Sequence, residues 1–263
     1  MAVKRSQSAS RVLAVLESIA RHQPVGVSAL ARQLGADKSA VQRAIMTLAD
    51  EGWIRVAPGT PTKWQLTAHI LAVAHMGHSS NDLRQRAHAT LEALRDETGE
   101  TVLLAVPDVH HFVIIDAIES RQLLRTVPHI GLTVPARGSA TSRAVLPHMT
   151  NAQQIAFLGE PPDATLMADF SATLKRGYSI SDGDVVAGST NVAAPILEID
   201  GRPAGAVVIS GPSERLNPKI HARIGAMVAQ AARNLSRSVP VAQPLVSVEA
   251  RQRRAAPTRV GAG

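Results

Sequence analysis

The sequence predicts an α+β protein of two domains, and three observations predict it. Residues 9–67 carry apolar side chains at helical spacing in three short segments and then alternate around a Pro/Gly-rich turn. Beyond residue 99 the texture changes to short β-like runs interrupted by helical segments, closing on one long amphipathic stretch. The chain has 263 residues, 45% of them hydrophobic, enough for one core of ordinary size and a smaller second one.

The first helix is expected at residues 9–21, with Val12, Leu13, Leu16 and Ile19 on one stripe, Ser10 as its cap and His22-Gln-Pro24 as its stop. A second covers 28–34, capped by Ser28 and ended by Gly35, with Ala29, Leu30 and Leu34 apolar. After the tight Gly35-Ala36 turn, Asp37 caps a third that runs to about residue 51, with Val41, Ile45 and Leu48 inward, and Gly52 stops it. Residues 53–56 and 63–66, joined by the loop 57–62, read as a β-hairpin with a basic tip. Helix, helix, turn, helix, hairpin is the order of a winged helix-turn-helix.

Residues 68–76 are again helical in spacing, Gly77-His-Ser-Ser80 interrupts them, and a long helix follows at 81–98. Strands are expected at 101–106, 112–118, 123–127, 192–199 and 204–210, and helices at 141–148, 152–158 and 164–176. The last helix runs from 217 to about 237, with Ile220, Ile224, Met227, Val228 and Ala231 on its apolar stripe. The expected organisation is thus a flexible arm at 1–8, a winged helix-turn-helix at 9–67, a linker helix at 68–82, a sheet domain at 83–238 and a disordered basic tail at 239–263. Arg251, Arg253, Arg254 and Arg259 in that tail read as solvated, with DNA contact as the alternative.

Lys and Arg total 28 against 21 Asp and Glu, a net charge of +7 that favours a polyanion such as nucleic acid or an acidic membrane surface. Apolar stretches such as 112–115 and 204–209 are far shorter than the roughly 20 residues of a membrane-spanning helix. Lys4 and Arg5 are not followed by a signal-like apolar run, so a cytoplasmic location with no membrane partner is expected. With no cysteine, disulfides and thiolate chemistry are excluded.

A recognition helix must bury one face and offer polar side chains from its first turns to base edges and phosphates. With Val41, Ile45 and Leu48 inward, Lys38, Ser39, Gln42 and Arg43 fall on the outer side. Gln pairs bidentately with adenine and Arg with guanine, while Lys38, Ser39 and the positive helix end suit phosphates. Arg55 and Lys63 on the hairpin would meet backbone or minor groove.

These residues carry a resemblance. Ala29-Leu-Ala-Arg-Gln-Leu-Gly35, Lys38-Ser-Ala-Val-Gln-Arg43, Leu48, Gly52 and Trp64-Gln-Leu66 resemble the first domain of the IclR family of transcription regulators, with Ala40 at a DNA-contacting position where the family usually has Thr, and Trp64 where it has Tyr. In the second half, Val113-Ile-Ile-Asp-Ala-Ile-Glu-Ser120, Gly131, Pro135 and Gly138-Ser-Ala-Thr-Ser-Arg-Ala-Val-Leu146 continue it. So do Arg176-Gly-Tyr178, Asp184, Gly188, Ala193-Ala-Pro195, Gly205 and Ser210-Gly-Pro212. The resemblance runs from about residue 8 to 238 and implies a GAF-like effector-binding domain, an antiparallel sheet flanked by helices, behind the DNA-binding domain.

Ser139, Ala140 and Thr141 form a small-residue turn opening a helix; its backbone N–H groups suit a carboxylate, and an ordinary helix cap by Ser139 or Thr141 is the alternative. The resemblance makes this turn the border of the effector pocket, with Asp184, Asn191, Val208 and Ser210 facing it. Asn191 stands where relatives have Cys or Ser, Val208 and Ser210 share one face of a strand, and Asp184 reads equally as a loop cap.

No G-x-S-x-G elbow is present, and neither Ser139 nor Ser142 has a sequence-level base, so no catalytic residue, no cofactor and no enzyme activity are expected. His75-x-x-His78 and His110-His111 come without Cys or a nearby acidic cluster, and no metal site is expected. A non-specific DNA-binding protein would account for the charge but not for a second domain patterned as a pocket. The expected partners are a pseudo-palindromic double-stranded DNA operator, a small-molecule effector, and further copies of the chain as a homodimer and, by resemblance, a homotetramer.

Overall fold

A computed structural model describes residues 6–76 and 78–236, with the side chains of 75–82 left aside. The expected tail, the arginines in it and the His75-x-x-His78 pair lie outside the described residues and side chains, as does most of the expected arm. Two compact units meet between His78 and Ser79, inside the expected linker.

In the N-terminal unit, α1 (Gln7–His22), α2 (Val27–Gln33) and α3 (Lys38–Asp50) precede β1 (Ile54–Val56), β2 (Trp64–Leu66) and α4 (His69–Met76). Their caps decide where the helices start. Ser6, not Ser10, caps α1, its hydroxyl accepting from the Ala9 N–H, because no breaker stops the helix from extending upstream. Gly26 rather than Ser28 opens α2, with no side-chain cap, whereas Asp37 caps α3 as expected. Gly35 takes φ +56°, a left-handed conformation that lets the chain turn sharply from α2 into α3. Val15, Ile19, Leu30, Val41, Ile45 and Leu48 close the core, and Trp64 is sewn to Val25 by two backbone hydrogen bonds of 2.8 and 3.1 Å.

The C-terminal unit begins with α5 (His78–Thr98), then β3 (Thr101–Pro107), β4 (His111–Ile118), β5 (Thr133–Pro135), α6 (Ala140–Val145), a short 3₁₀ turn Leu146–His148, α7 (Asn151–Leu158) and α8 (Ala164–Arg176). β6 (Ser179–Asp182), β7 (Ser189–Leu197), β8 (Pro203–Pro212) and α9 (His221–Ser236) complete it. The strands form one antiparallel sheet in the order β5-β4-β3-β8-β7-β6. Alternation along each strand feeds two cores. Val102, Leu104, Val207 and Ile209 pack with Leu91 of α5 and Ile224 and Val228 of α9, whereas Leu103, Ala105, Ala193 and Val208 pack with Ala144 of α6, Phe157 of α7 and Phe170 of α8.

Residues 123–127 form no strand: Leu123 and Leu124 are exposed, and the β4 edge that a strand would need is taken by β5 and by Ile114, whose N–H donates to Leu132 O and whose carbonyl accepts from the Gly131 N–H. β5 and β6 were not expected; at three and four residues they are too short to display a period. Helix α9 starts later than expected, and α5 earlier.

Candidate functional site

On α3, burial follows the helical period. Lys38, Ser39, Gln42 and Arg43 are exposed on one side, and Val41, Ala44, Ile45 and Leu48 are buried on the other. Ala40, also expected to meet DNA, is turned inward by its position three residues after the cap and four before Ala44, to 8% exposure. The Asp37 carboxylate accepts from the Ser39 hydroxyl at 2.5 Å and the Ala40 N–H at 3.1 Å, and these two bonds hold it below the usual carboxylate range. Arg43 Nη1 in turn donates to Ser39 Oγ at 3.3 Å. The chain Asp37–Ser39–Arg43 fixes the first turn while leaving most guanidinium N–H groups of Arg43 free for an acceptor.

Arg55 lies opposite Gln65 in the β1–β2 register, and with the Gln65 amide oxygen facing it the guanidinium donates two bonds of 3.0 Å. Lys63 is exposed at the end of the wing loop, whose carbonyl–amide bond to Ala57 N (2.8 Å) closes the hairpin. Gln65, which steadies Arg55, had no signal in the sequence beyond its place in a strand.

In the second unit, Ser139 is the N-cap of α6: its hydroxyl accepts from Ser142 N at 3.1 Å and donates to Pro135 O at 2.8 Å. Strand β6 holds the turn, with Ser179 Oγ donating to Ala140 O at 2.6 Å and Ser181 Oγ to Gly138 O at 2.8 Å. Ser181, Asn191 and Ser210 stand opposite one another across β6, β7 and β8 and so share a face. Ser210 is buried, its hydroxyl donating to Thr126 Oγ1 at 3.1 Å, while Thr101 Oγ1 donates to Thr126 O at 2.8 Å. The stretch expected as a strand at 123–127 is therefore a loop pinned over the end of this seam.

Asn191 is half-buried, and among the described residues its amide has no hydrogen-bond partner. Asp184 pairs with Arg143, Nη1 to Oδ2 at 2.7 Å, and Arg143 also meets Asp169 Oδ2 at 2.8 Å and donates to Ile180 O at 3.0 Å. Arg143 was missed as a neighbour of the turn, because nothing local in the sequence ties position 143 to 184. The structure thus gathers Ser139, Ala140, Thr141, Asp184, Asn191 and Ser210 at one end of the sheet. Val208, like Ala140, packs in the apolar cluster with Ala193, and Ser139, Thr141 and Ser210 are as fully buried as it is. Two clefts of this unit lie elsewhere, one of about 320 Å³ beside α8 and α9 and another beside α7.

Residues 75–237 match the family described as the bacterial transcriptional regulator IclR C-terminal domain, and residues 8–58 match the IclR helix-turn-helix domain. The chain belongs to the IclR family. The Acetate operon repressor of Salmonella typhimurium is 32% identical over 244 residues, covering 88% of this chain and 89% of that protein. The transcriptional repressor IclR of Escherichia coli K12 is similar to the same degree, 32% over 244 residues. Among solved structures of the IclR fold, a Microbacterium hydrocarbonoxydans homologue crystallised with 4-hydroxybenzoate has a TM-score of 0.72 at 19% identity, covering 89% of this chain and all of that one. Thermotoga maritima IclR gives 0.69 at 20% identity, covering 88% of this chain and 97% of that one.

As an IclR-family member the chain is a DNA-binding transcription regulator and not an enzyme. Among the described residues no group of three His, Asp or Glu could hold a metal ion, and no helix is long and apolar enough to cross a membrane.

Proposed function

We propose that this regulator binds a small organic acid in its C-terminal unit and that occupancy changes its affinity for a pseudo-palindromic operator. Residues 9–67 read the DNA through Lys38, Ser39, Gln42 and Arg43 with Arg55 and Lys63 on the wing; residues 68–82 link to an effector-binding domain at 83–238; and the protein works in the cytoplasm. The observation that carries the effector reading is the unpartnered, half-buried amide of Asn191, set between Ser181 and Ser210 beside the Ser139–Thr141 turn. A half-buried amide without a partner suits a ligand carbonyl or hydroxyl, and the N–H groups opening α6 suit its carboxylate. The 4-hydroxybenzoate held by the Microbacterium homologue is an acid of this chemical class.

Calorimetry of 4-hydroxybenzoate and other small carboxylic acids, with and without operator, tests it. Asn191→Leu is expected to weaken the true effector about tenfold, ~1.4 kcal/mol. By linkage, DNA must shift effector affinity by the factor by which the effector shifts DNA affinity. Equal binding to both proteins, or equal binding with and without DNA, would sink the site or the coupling.

We also propose a dimer formed through the N-terminal domains and the linker helix, assembling further into a tetramer. Leu13 of α1 and Leu71 of α4 are each 60% exposed, an arrangement that a second copy would cover. Light scattering at micromolar concentration should show a dimer or larger, and Leu71→Glu should shift it towards monomer. A wild-type monomer with and without operator contradicts the proposal.

A further inference from the structure

Strand β6 stops pairing at Ser179 opposite Ala193, so among the described residues the outer edge of β7 from Ala194 to Leu197 has no strand neighbour. A cleft of about 320 Å³ opens there between the C-terminal turns of α8 and α9, at the small end of the range of ligand sites. It lies beside α8 and α9 and is lined by none of the residues of the proposed effector site.

Three features of its wall call for a ligand rather than a strand. Pro195 has no N–H to offer and the Leu197 N–H already donates to Ser236 Oγ at 2.9 Å, so an added strand would find no ladder. Thr173 is 1% exposed and among the described residues its hydroxyl has no hydrogen-bond partner, although Thr98 and Ser171 each donate to the carbonyl four residues back. Thr173 lines the cleft, and a ligand acceptor that reached this hydroxyl would satisfy it. Arg233 stands exposed on the rim with one bond, Nη2 to Gln230 Oε1 at 2.8 Å, and among the described residues no carboxylate partners it. Burial pushes the His148 imidazole below its ordinary range, so near neutrality it adds a polar ring rather than a second charge.

We propose that this cleft is a second ligand site, taking a small monocarboxylate whose charge meets Arg233 and whose apolar body lies on Leu174 and Pro195. One charged donor at the rim and apolar walls behind it select an anion with a hydrophobic body over a sugar, a polyanion or a peptide strand.

The test uses full-length protein labelled at leucine methyls, with benzoate as the anionic probe and benzamide as its neutral isostere. Leu174 and Leu197 should shift saturably with benzoate; a site with Kd near ~1 mM is about nine-tenths filled at ~10 mM. The same shifts should persist in Asn191→Leu, which separates this site from the effector site, and both Arg233→Gln and benzamide should weaken binding at least about tenfold. Thr173→Val, which keeps the shape and removes the hydroxyl, should weaken it several-fold. Absence of Leu174 and Leu197 shifts at ~10 mM benzoate, equal shifts with benzamide, or an unchanged titration in Arg233→Gln overturns the proposal.

Discussion

Arg43→Ala and Gln42→Ala are each expected to remove discrimination at one operator base pair, with affinity losses of about tenfold or more there, because a bidentate base contact contributes about 1–3 kcal/mol. Both side chains stand exposed on the outer face of α3, one turn from the cap, while the inward face is buried in the domain core. Lys63→Ala should instead weaken all duplexes alike and flatten the salt dependence, since a phosphate contact carries no sequence information. The measurement is binding to the operator and to single-base variants at fixed salt. Ser39→Ala is the informative companion, because it cuts the link from Asp37 to Arg43 and should cost specificity by loosening the guanidinium rather than by removing a base contact. If neither Arg43→Ala nor Gln42→Ala alters sequence preference, α3 does not read bases through this face.

What the sequence disclosed, and what it did not, follows from the range over which each signal acts. Helix α8 was legible to the residue because both of its ends are local: Asp163 accepts from the Leu166 N–H, and Gly177 takes the left-handed turn that stops it. Asp37 made the start of α3 equally plain. The reading of Ala40 as a DNA contact came from its place in a motif, whereas the period of its own helix, shared with Val41 and Ala44, turns it inward. Residues 123–127 have strand-like composition, yet a strand also needs a free edge, and edges are a property of the whole sheet.

The candidate effector seam was half legible. Asn191, Ser210 and the turn at Ser139 were found by pattern, but the bonds that hold them, from Ser179 and Ser181 and between Arg143 and Asp184, join segments about 40 residues apart and leave no local trace. Nor does a sequence reveal that Thr126 covers Ser210 from 84 residues away.

The largest loss of stability is expected from breaking a pair that no local pattern announces. Glu100 is 4% exposed immediately before β3, and Arg215, 115 residues later, grips it with two bonds, Nε to Oε1 at 2.5 Å and Nη2 to Oε2 at 2.8 Å. Removing one partner of a fully buried pair typically costs about 3–5 kcal/mol, because the charge left behind has no compensation. The Arg215 side chain is 34% exposed, so water reaches part of the site and the expected cost of Arg215→Met falls to about 2–3 kcal/mol. Gly211 closes the same site: a Cβ there would stand 2.5 Å from Glu100 Oε2, and Arg215 leaves the carboxylate no room to retreat, so Gly211→Ala should cost about 1–3 kcal/mol. Arg215 also donates to Leu124 O at 2.9 Å, two residues before the threonine that covers Ser210, so both variants should loosen that loop and weaken binding of the proposed effector as well as stability. The two units can be followed separately in the full chain, since both tryptophans, Trp53 and Trp64, lie in the N-terminal unit and the one tyrosine, Tyr178, lies in the C-terminal unit. In denaturant titrations the Tyr178 signal should move to lower concentration while tryptophan emission reports the helix-turn-helix. The double variant Glu100→Gln/Arg215→Met should lose less than the sum of the single variants, because removing both charges leaves none stranded. A change below about 0.5 kcal/mol in Arg215→Met, the range of an ordinary surface substitution, would show that the pair does not hold the domain together.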